Sequence, residues 1–129
     1  MIEGLRVVAV TPARGGSKSV PYKNLHPLGG KPLLAWPIDC ALRTPEIDRV
    51  IVSTDDDRIA AAARQLGAEV YRRPATLATD TALVADTLRH LWAQLRAEGE
   101  EAQILVLLEA TSPFRSPELV GRCLRRLVD

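Results

Sequence analysis

Four short runs of apolar, largely β-branched residues, each followed by a segment of helical periodicity, constrain this chain more than any other feature. Leu5–Thr11 is one such run, closed by Pro12 and a glycine-rich stretch, and Ile104–Leu108 is another, apolar throughout. Runs of this kind mark strands buried on both faces. Arg49–Thr54 predicts a strand between them, and Ala68–Tyr71 a weaker one. Leu34, Ile38, Ala41 and Leu42 predict a helix over 33–42, with Pro37 kinking its first turns or setting its start. Residues Ser53 to Asp57 offer N-caps for a helix Arg58–Leu66, with Gly67 as its stop. A longer helix runs from a cap at Asp80 or Thr81 to about Glu98, with Leu83, Val84, Leu88, Leu91, Trp92 and Leu95 as its apolar face. Ser116, Pro117 and Glu118 open a last helix with a stripe of Leu119, Val120, Cys123, Leu124, Leu127 and Val128. The order βαβαβαβα predicts an α/β fold: a mostly parallel sheet with helices on both faces.

The 129 residues fit a single domain, 1–129. A net charge of +1 argues against a wholesale electrostatic partnership with nucleic acid or membrane. The apolar runs fall far short of the ~20 residues of a membrane span, and residues 1–10 lack the pattern of a signal peptide. Cys40 and Cys123 are far apart and in no metal spacing, so both are expected as free core thiols in a reducing compartment. The expectation is a soluble, cytoplasmic domain.

Ligands of open α/β sheets bind beyond the C-terminal ends of the strands. Three loops qualify: 12–32, 72–81 and Glu109–Arg115. The first is the richest, and at such length a loop in a compact domain is usually functional. Its segment Pro12-Ala13-Arg14-Gly15-Gly16-Ser17-Lys18-Ser19 combines two glycines, which let backbone N–H groups turn inward, with a guanidinium and an ammonium. That combination suits an anion or phosphate cradle; the alternative is a tight turn with solvated charges. It matches neither the Walker spacing nor G-x-G-x-x-G.

The run Ala13-Arg14-Gly15-Gly16-Ser17-Lys18-Ser19-Val20-Pro21-Tyr22-Lys23-Asn24-Leu25, followed by Gly30-Lys31-Pro32-Leu33, resembles the N-terminal signature of the acylneuraminate (CMP-sialic acid) cytidylyltransferases. Further matches follow in order: Val52-Ser53-Thr54-Asp55-Asp56, Gly67-Ala68-Glu69-Val70, Arg73-Pro74, Leu77-Ala78-Thr79-Asp80, Leu107-Leu108 and Thr111-Ser112-Pro113-Phe114-Arg115. The resemblance implies a Rossmann-like nucleotidyltransferase fold. It also implies transfer of CMP from CTP to the anomeric hydroxyl of a nonulosonic acid, with Mg2+ and release of pyrophosphate. In that chemistry the protein positions the reactants and neutralises the leaving charge. Arg14 and Lys23 would be the catalytic cations. Arg14, Gly15, Gly16, Ser17 and Lys18 would hold the triphosphate, while Asn24, Arg73 and Ala82 would contact the nucleoside. Glu109, Thr111 and Ser112 would face the sugar.

Each position also has a plainer reading. Asn24 can serve as a turn residue and Arg73 as a surface arginine beside Arg72. Asp55, Asp56 and Asp57 look like a metal cluster, but consecutive acids at a helix start more commonly cap it, and Asp80 reads as a cap. His26 and His90 read as structural or solvated, and Trp36 and Trp92 as core residues on helical stripes.

Three positions depart from the family pattern. Glu109 stands where the family typically has Gln, which leaves a legionaminate-like, pseudaminate-like or other 3-deoxy sugar acid open as substrate. Val84 replaces a small hydroxyl residue near the nucleotide, which leaves the base open, and Ser19 replaces a frequent Gly. The family's chains also run much further, so the fold reads as incomplete at its C-terminus. No counterpart of the metal-binding carboxylates is identifiable, and a sheet edge is expected to remain as an association site, for a homodimer or a complementary segment. Competing hypotheses are a nucleotide- or sugar-phosphate-binding fragment without turnover, and a dinucleotide-binding oxidoreductase domain in which Thr54-Asp55 would stand in for the acidic strand end.

Overall fold

The structure, a computed structural model, describes residues 1–15, 23–74, 84–110 and 116–129. Four parallel strands make the main sheet: β1 (Val7–Pro12), β4 (Arg49–Thr54), β5 (Glu69–Arg72) and β6 (Ile104–Leu107), in the spatial order β5-β4-β1-β6. Ala9 pairs with Val50 on one side and Val106 on the other, and Val52 pairs with Val70, so all four strands end at one edge of the sheet. The chain leaves β1 toward β4 and β5, then returns to β1's other side as β6. That reversal opens a crevice beyond the C-terminal ends of β1 and β6, where ligands of such sheets bind.

Alternation along the strands explains why apolar runs were needed. Val7 and Ala9 of β1 face one core together with Val50, Val52 and Ile104, while Val8, Val10 and Ile51 face the other. Each fully buried Val contributes roughly 1.5–3 kcal/mol. The first core is roofed by Ile38 and Ala41 of α1 (Ala35–Leu42), Ile59 and Ala63 of α2 (Asp57–Gln65), and Val120 and Leu124 of α4 (Pro117–Val128). The second is covered by Leu91 and Leu95 of α3 (Val84–Ala97). Helices thus lie on both faces, as the sequence order requires.

The caps also follow the sequence. Asp56 accepts from the Arg58 and Ile59 N–H groups at the start of α2, and Gly67 ends it at φ +99°. Ser116 accepts from Leu119 N–H with Pro117 opening α4. Pro37 is the third residue of α1, within the first turn, where its missing N–H costs no intrahelical bond.

Several expectations need correction. The segment 12–32, expected as one long loop, carries elements of its own: a single 3-10 turn, Lys23–Leu25, leads into a small antiparallel hairpin of β2 (Pro27–Leu28) and β3 (Lys31–Pro32). Gly29 and Gly30, at φ +61° and +88°, supply the two left-handed residues a tight hairpin needs. Trp36 is not core. It is half-buried, donates Nε1–H to Leu28 O at 2.9 Å and lies 4.2 Å from the Lys31 ammonium, clasping the hairpin. Trp92 is likewise half-buried, with the Arg96 guanidinium 4.2 Å from its ring. Cys40 is buried as expected, but Cys123 is exposed.

The stripe on α4 also divides: Val120 and Leu124 are buried, whereas Leu119 is 46% and Leu127 67% exposed. With Ile104, Val106, Leu108 and Cys123, these residues line an apolar groove of about 440 Å³ beside β6. The two sheet edges differ accordingly. β5 carries exposed Glu69 and Arg72, the charged side chains that keep an edge from pairing. β6 carries none.

At the opposite, N-terminal end of the sheet lies a lattice of charges. Glu100, its side chain 6% exposed, takes two bonds of 2.8 Å from Arg6 and one of 3.0 Å from Arg49. Arg49 in turn reaches Glu69 and, at 3.0 Å, the Tyr71 hydroxyl, which bonds Glu98. The Arg6 bonds hold the Glu100 carboxyl down at about 2.

Candidate active site at the strand ends

At the C-terminal edge the backbone ladder continues past the strands. Ala13 N–H donates to Ser53 O at 2.9 Å, Arg73 N–H to Thr54 O at 3.1 Å and Leu108 N–H to Val10 O at 3.0 Å. The Thr11 hydroxyl donates to Leu108 O at 2.7 Å, fastening the end of β6 to β1. These bonds fix Arg14, Arg73 and Glu109 as direct extensions of β1, β5 and β6.

The loop after β1 is packed onto the loop after β4. Gly15 N–H donates to Asp55 Oδ1 at 3.3 Å. A Cβ at Gly15 would stand 2.7 Å from Asp56 Oδ2 and 2.9 Å from its Cγ, so only glycine fits there. Asn24, 9% exposed, donates from Nδ2 to Arg14 O at 3.3 Å and accepts from Leu34 N–H at 2.8 Å. Asn24 thus ties the 3-10 turn, and Lys23 beside it, to the end of β1.

Arg73 is not the surface arginine of the plainer reading. It is 9% exposed, its Nη1 donates to the Thr87 hydroxyl at 3.1 Å, and its Nε is buried with no hydrogen-bond partner. Burial pushes its guanidinium below the ordinary arginine value; Asp55 opposes that shift and Arg14 adds to it. Arg14, Arg73 and Asp55 therefore interact through charge at this end of the sheet, and the unsatisfied Arg73 donor suits a ligand that brings an acceptor.

A family model described as Cytidylyltransferase matches residues 8–129. The chain belongs to the cytidylyltransferase family. Among its relatives, the CMP-N,N'-diacetyllegionaminic acid synthase of Legionella pneumophila is 43% identical over 117 residues, covering 90% of this chain and 50% of that protein. The N-acylneuraminate cytidylyltransferase of Escherichia coli is 38% identical over 110 residues, covering 85% of this chain and 25% of that one. Among solved structures, a CMP:2-keto-3-deoxy-manno-octonic acid synthetase complexed with CTP superposes with a TM-score of 0.82 at 28% identity, over 96% of this chain and 48% of its own. The chain thus spans between a quarter and a half of the length of these relatives.

Of the residues this cytidylyltransferase-family sequence nominated, the structure gathers Arg14, Gly15, Asn24 and Arg73 around Asp55, with Lys23 and Glu109 half-buried at the same end. Gly16, Ser17, Lys18, Ala82, Thr111 and Ser112 lie outside the described residues, as do the proposed caps Asp80 and Thr81. Gly15 allows the close approach to Asp56, and its N–H donates to Asp55. Asp56 is a cap. Asp55 is engaged by Gly15, which leaves little to support a dinucleotide ribose contact at this strand end.

Among the described residues no group of three or more His, Cys, Asp or Glu side chains could hold a metal ion. Among the described residues, Asp55 and Asp56 are engaged by backbone N–H groups and Asp57 by Arg72, and these three do not form a site for a protein-held Mg2+. Also among the described residues, no helix is long and apolar enough to cross a membrane. Thr87, which accepts from Arg73, is the site neighbour that sequence reasoning missed. Its signal was a hydroxyl on the 87–91–95 stripe of an otherwise apolar face. Val84, counted on that face, is 42% exposed.

Proposed function

We propose that this chain is the nucleotide-binding domain, residues 1–129, of a cytoplasmic cytidylyltransferase that transfers CMP from CTP to the anomeric hydroxyl of a nonulosonic acid. The convergence of Arg14, Arg73 and Asn24 at the ends of β1 and β5 carries this reading, and family membership supports it. In the reaction a bond forms between the anomeric oxygen and the α-phosphorus. The bridging bond to the β-phosphate breaks, the hydroxyl proton is lost, and pyrophosphate departs. Arg14, with Lys18 and Lys23, would bind the phosphates and offset charge on the leaving group. Asn24, Arg73 and Ala82 would hold the nucleoside, and Glu109, Thr111 and Ser112 the sugar acid. No step is assigned to Mg2+, because the described residues do not form a site for it.

The test is pyrophosphate release from CTP in the presence of N-acetylneuraminate, a legionaminate or a 3-deoxy-octulosonate. Release that depends on one of these acids and is lost in Arg14→Ala supports the reading and names the substrate. A second reading is nucleotide binding without turnover, which the same convergence of Arg14, Arg73 and Asn24 also supports. It predicts CTP-dependent thermal stabilisation with no pyrophosphate.

A further inference from the structure

Thr87, Leu91 and Leu95 are the buried residues of α3. Spaced four apart, they form one stripe facing the sheet. Leu91 and Leu95 join the core of Val8, Val10 and Ile51, while Thr87, 2% exposed, ends the stripe at the edge where the strands finish. A position so buried on a helix stripe is ordinarily aliphatic. Its hydroxyl instead accepts from Arg73 Nη1 at 3.1 Å. Arg73 needs such a partner, because its Nε is buried without one.

We infer that Thr87 is a positioning residue for nucleotide recognition: its hydroxyl fixes the plane of the Arg73 guanidinium and so presets the donors offered to the nucleoside. The inference rests on the proposed role of Arg73. An arginine held in one orientation loses less freedom when its ligand arrives, so removing the hydroxyl weakens binding without removing any group that touches ligand. Valine at this position keeps the shape and packing of threonine against the sheet, while leaving Nη1 without its acceptor.

The experiment is calorimetric titration of the full chain, unaltered and as Thr87→Val, Thr87→Ser and Arg73→Lys, with CTP, CMP and inorganic pyrophosphate. Ordering one rotamer-rich side chain on binding costs up to about tenfold in affinity. Thr87→Val should therefore weaken CTP and CMP by about tenfold, leave pyrophosphate within about twofold, and be rescued in Thr87→Ser. Unchanged CTP affinity in Thr87→Val overturns the inference. Equal weakening of pyrophosphate also overturns it, because the site would then have collapsed as a whole. Arg73→Lys separates the layers. If it binds CTP as tightly as the unaltered chain, the role of Arg73 fails and takes that of Thr87 with it. If the unaltered chain binds no CTP, the failure lies with the proposed function itself.

Discussion

The two ends of this sheet use the same residue types to opposite effect. At the N-terminal end Glu100 is gripped by Arg6 and Arg49, and Arg49 reaches on to Glu69 and Tyr71. Charges there are matched and locked to the starts of three strands. At the C-terminal end Arg14, Arg73 and Asp55 interact through charge, and a buried Arg73 donor has no partner. A matched lattice serves the fold; a buried donor left unsatisfied is a cost the fold bears where a ligand can relieve it.

The largest test of this contrast is Glu100→Gln. Removing the carboxylate of a part-buried ion-pair network costs about 2 kcal/mol, on the order of 5–10 °C in Tm for a domain of this size. Any CTP-induced rise in Tm should survive the change, and an unaltered Tm would break the comparison. Acid should act on the same point. Because Arg6 holds the folded carboxyl at about 2, below the ordinary 4.5, its contribution is fully present above about pH 4.5 and is lost as pH falls toward 2. Urea midpoints measured across that window should fall in the unaltered chain more steeply than in Glu100→Gln.

Next in size is Gly15→Ala. The added methyl would stand 2.7 Å from Asp56 Oδ2, displacing the cap of α2 at a cost of about 1–2 kcal/mol and loosening the loop that carries Arg14. Arg73→Met sharpens the contrast from the other side. Exchanging an incompletely paired buried charge for an apolar chain is near neutral for stability, so Tm should move by no more than about 3 °C while CTP stabilisation disappears. A Tm that collapses would make Arg73 a structural residue like Glu100. Smallest of all is Leu127→Ser. This side chain, 67% exposed on α4, belongs to neither cluster, and its loss should stay within about 0.5 kcal/mol.

Most of the sheet was legible because β1, β4 and β6 are largely apolar on both faces, and the caps at Asp56, Gly67 and Ser116 because each needs a particular residue type. The hairpin at 27–32 was passed over because it presents no alternating run; only Gly29-Gly30 betrays it. Trp36, Trp92 and half of the α4 stripe were misplaced for a common reason. Helical spacing reports which residues share a face, and it does not report whether anything covers that face. In the site, loop composition pointed to Arg14 and the family resemblance to Asn24 and Arg73, whereas the burial of Arg73 and its bond to Thr87 depend on how α3 crosses the sheet. That is a tertiary fact, written only as one hydroxyl among leucines.

The clasp of Trp36 over the hairpin has an optical consequence. Its indole stacks on Lys31 and bonds Leu28, next along the chain from the turn that carries Lys23 and Asn24. Trp92, the chain's other indole, rests on Arg96 of α3. The protein therefore carries its own fluorescent reporter and its own reference: occupancy near Asn24 should perturb emission from Trp36 while Trp92 stays constant, and Trp36→Phe should silence the signal without an added dye.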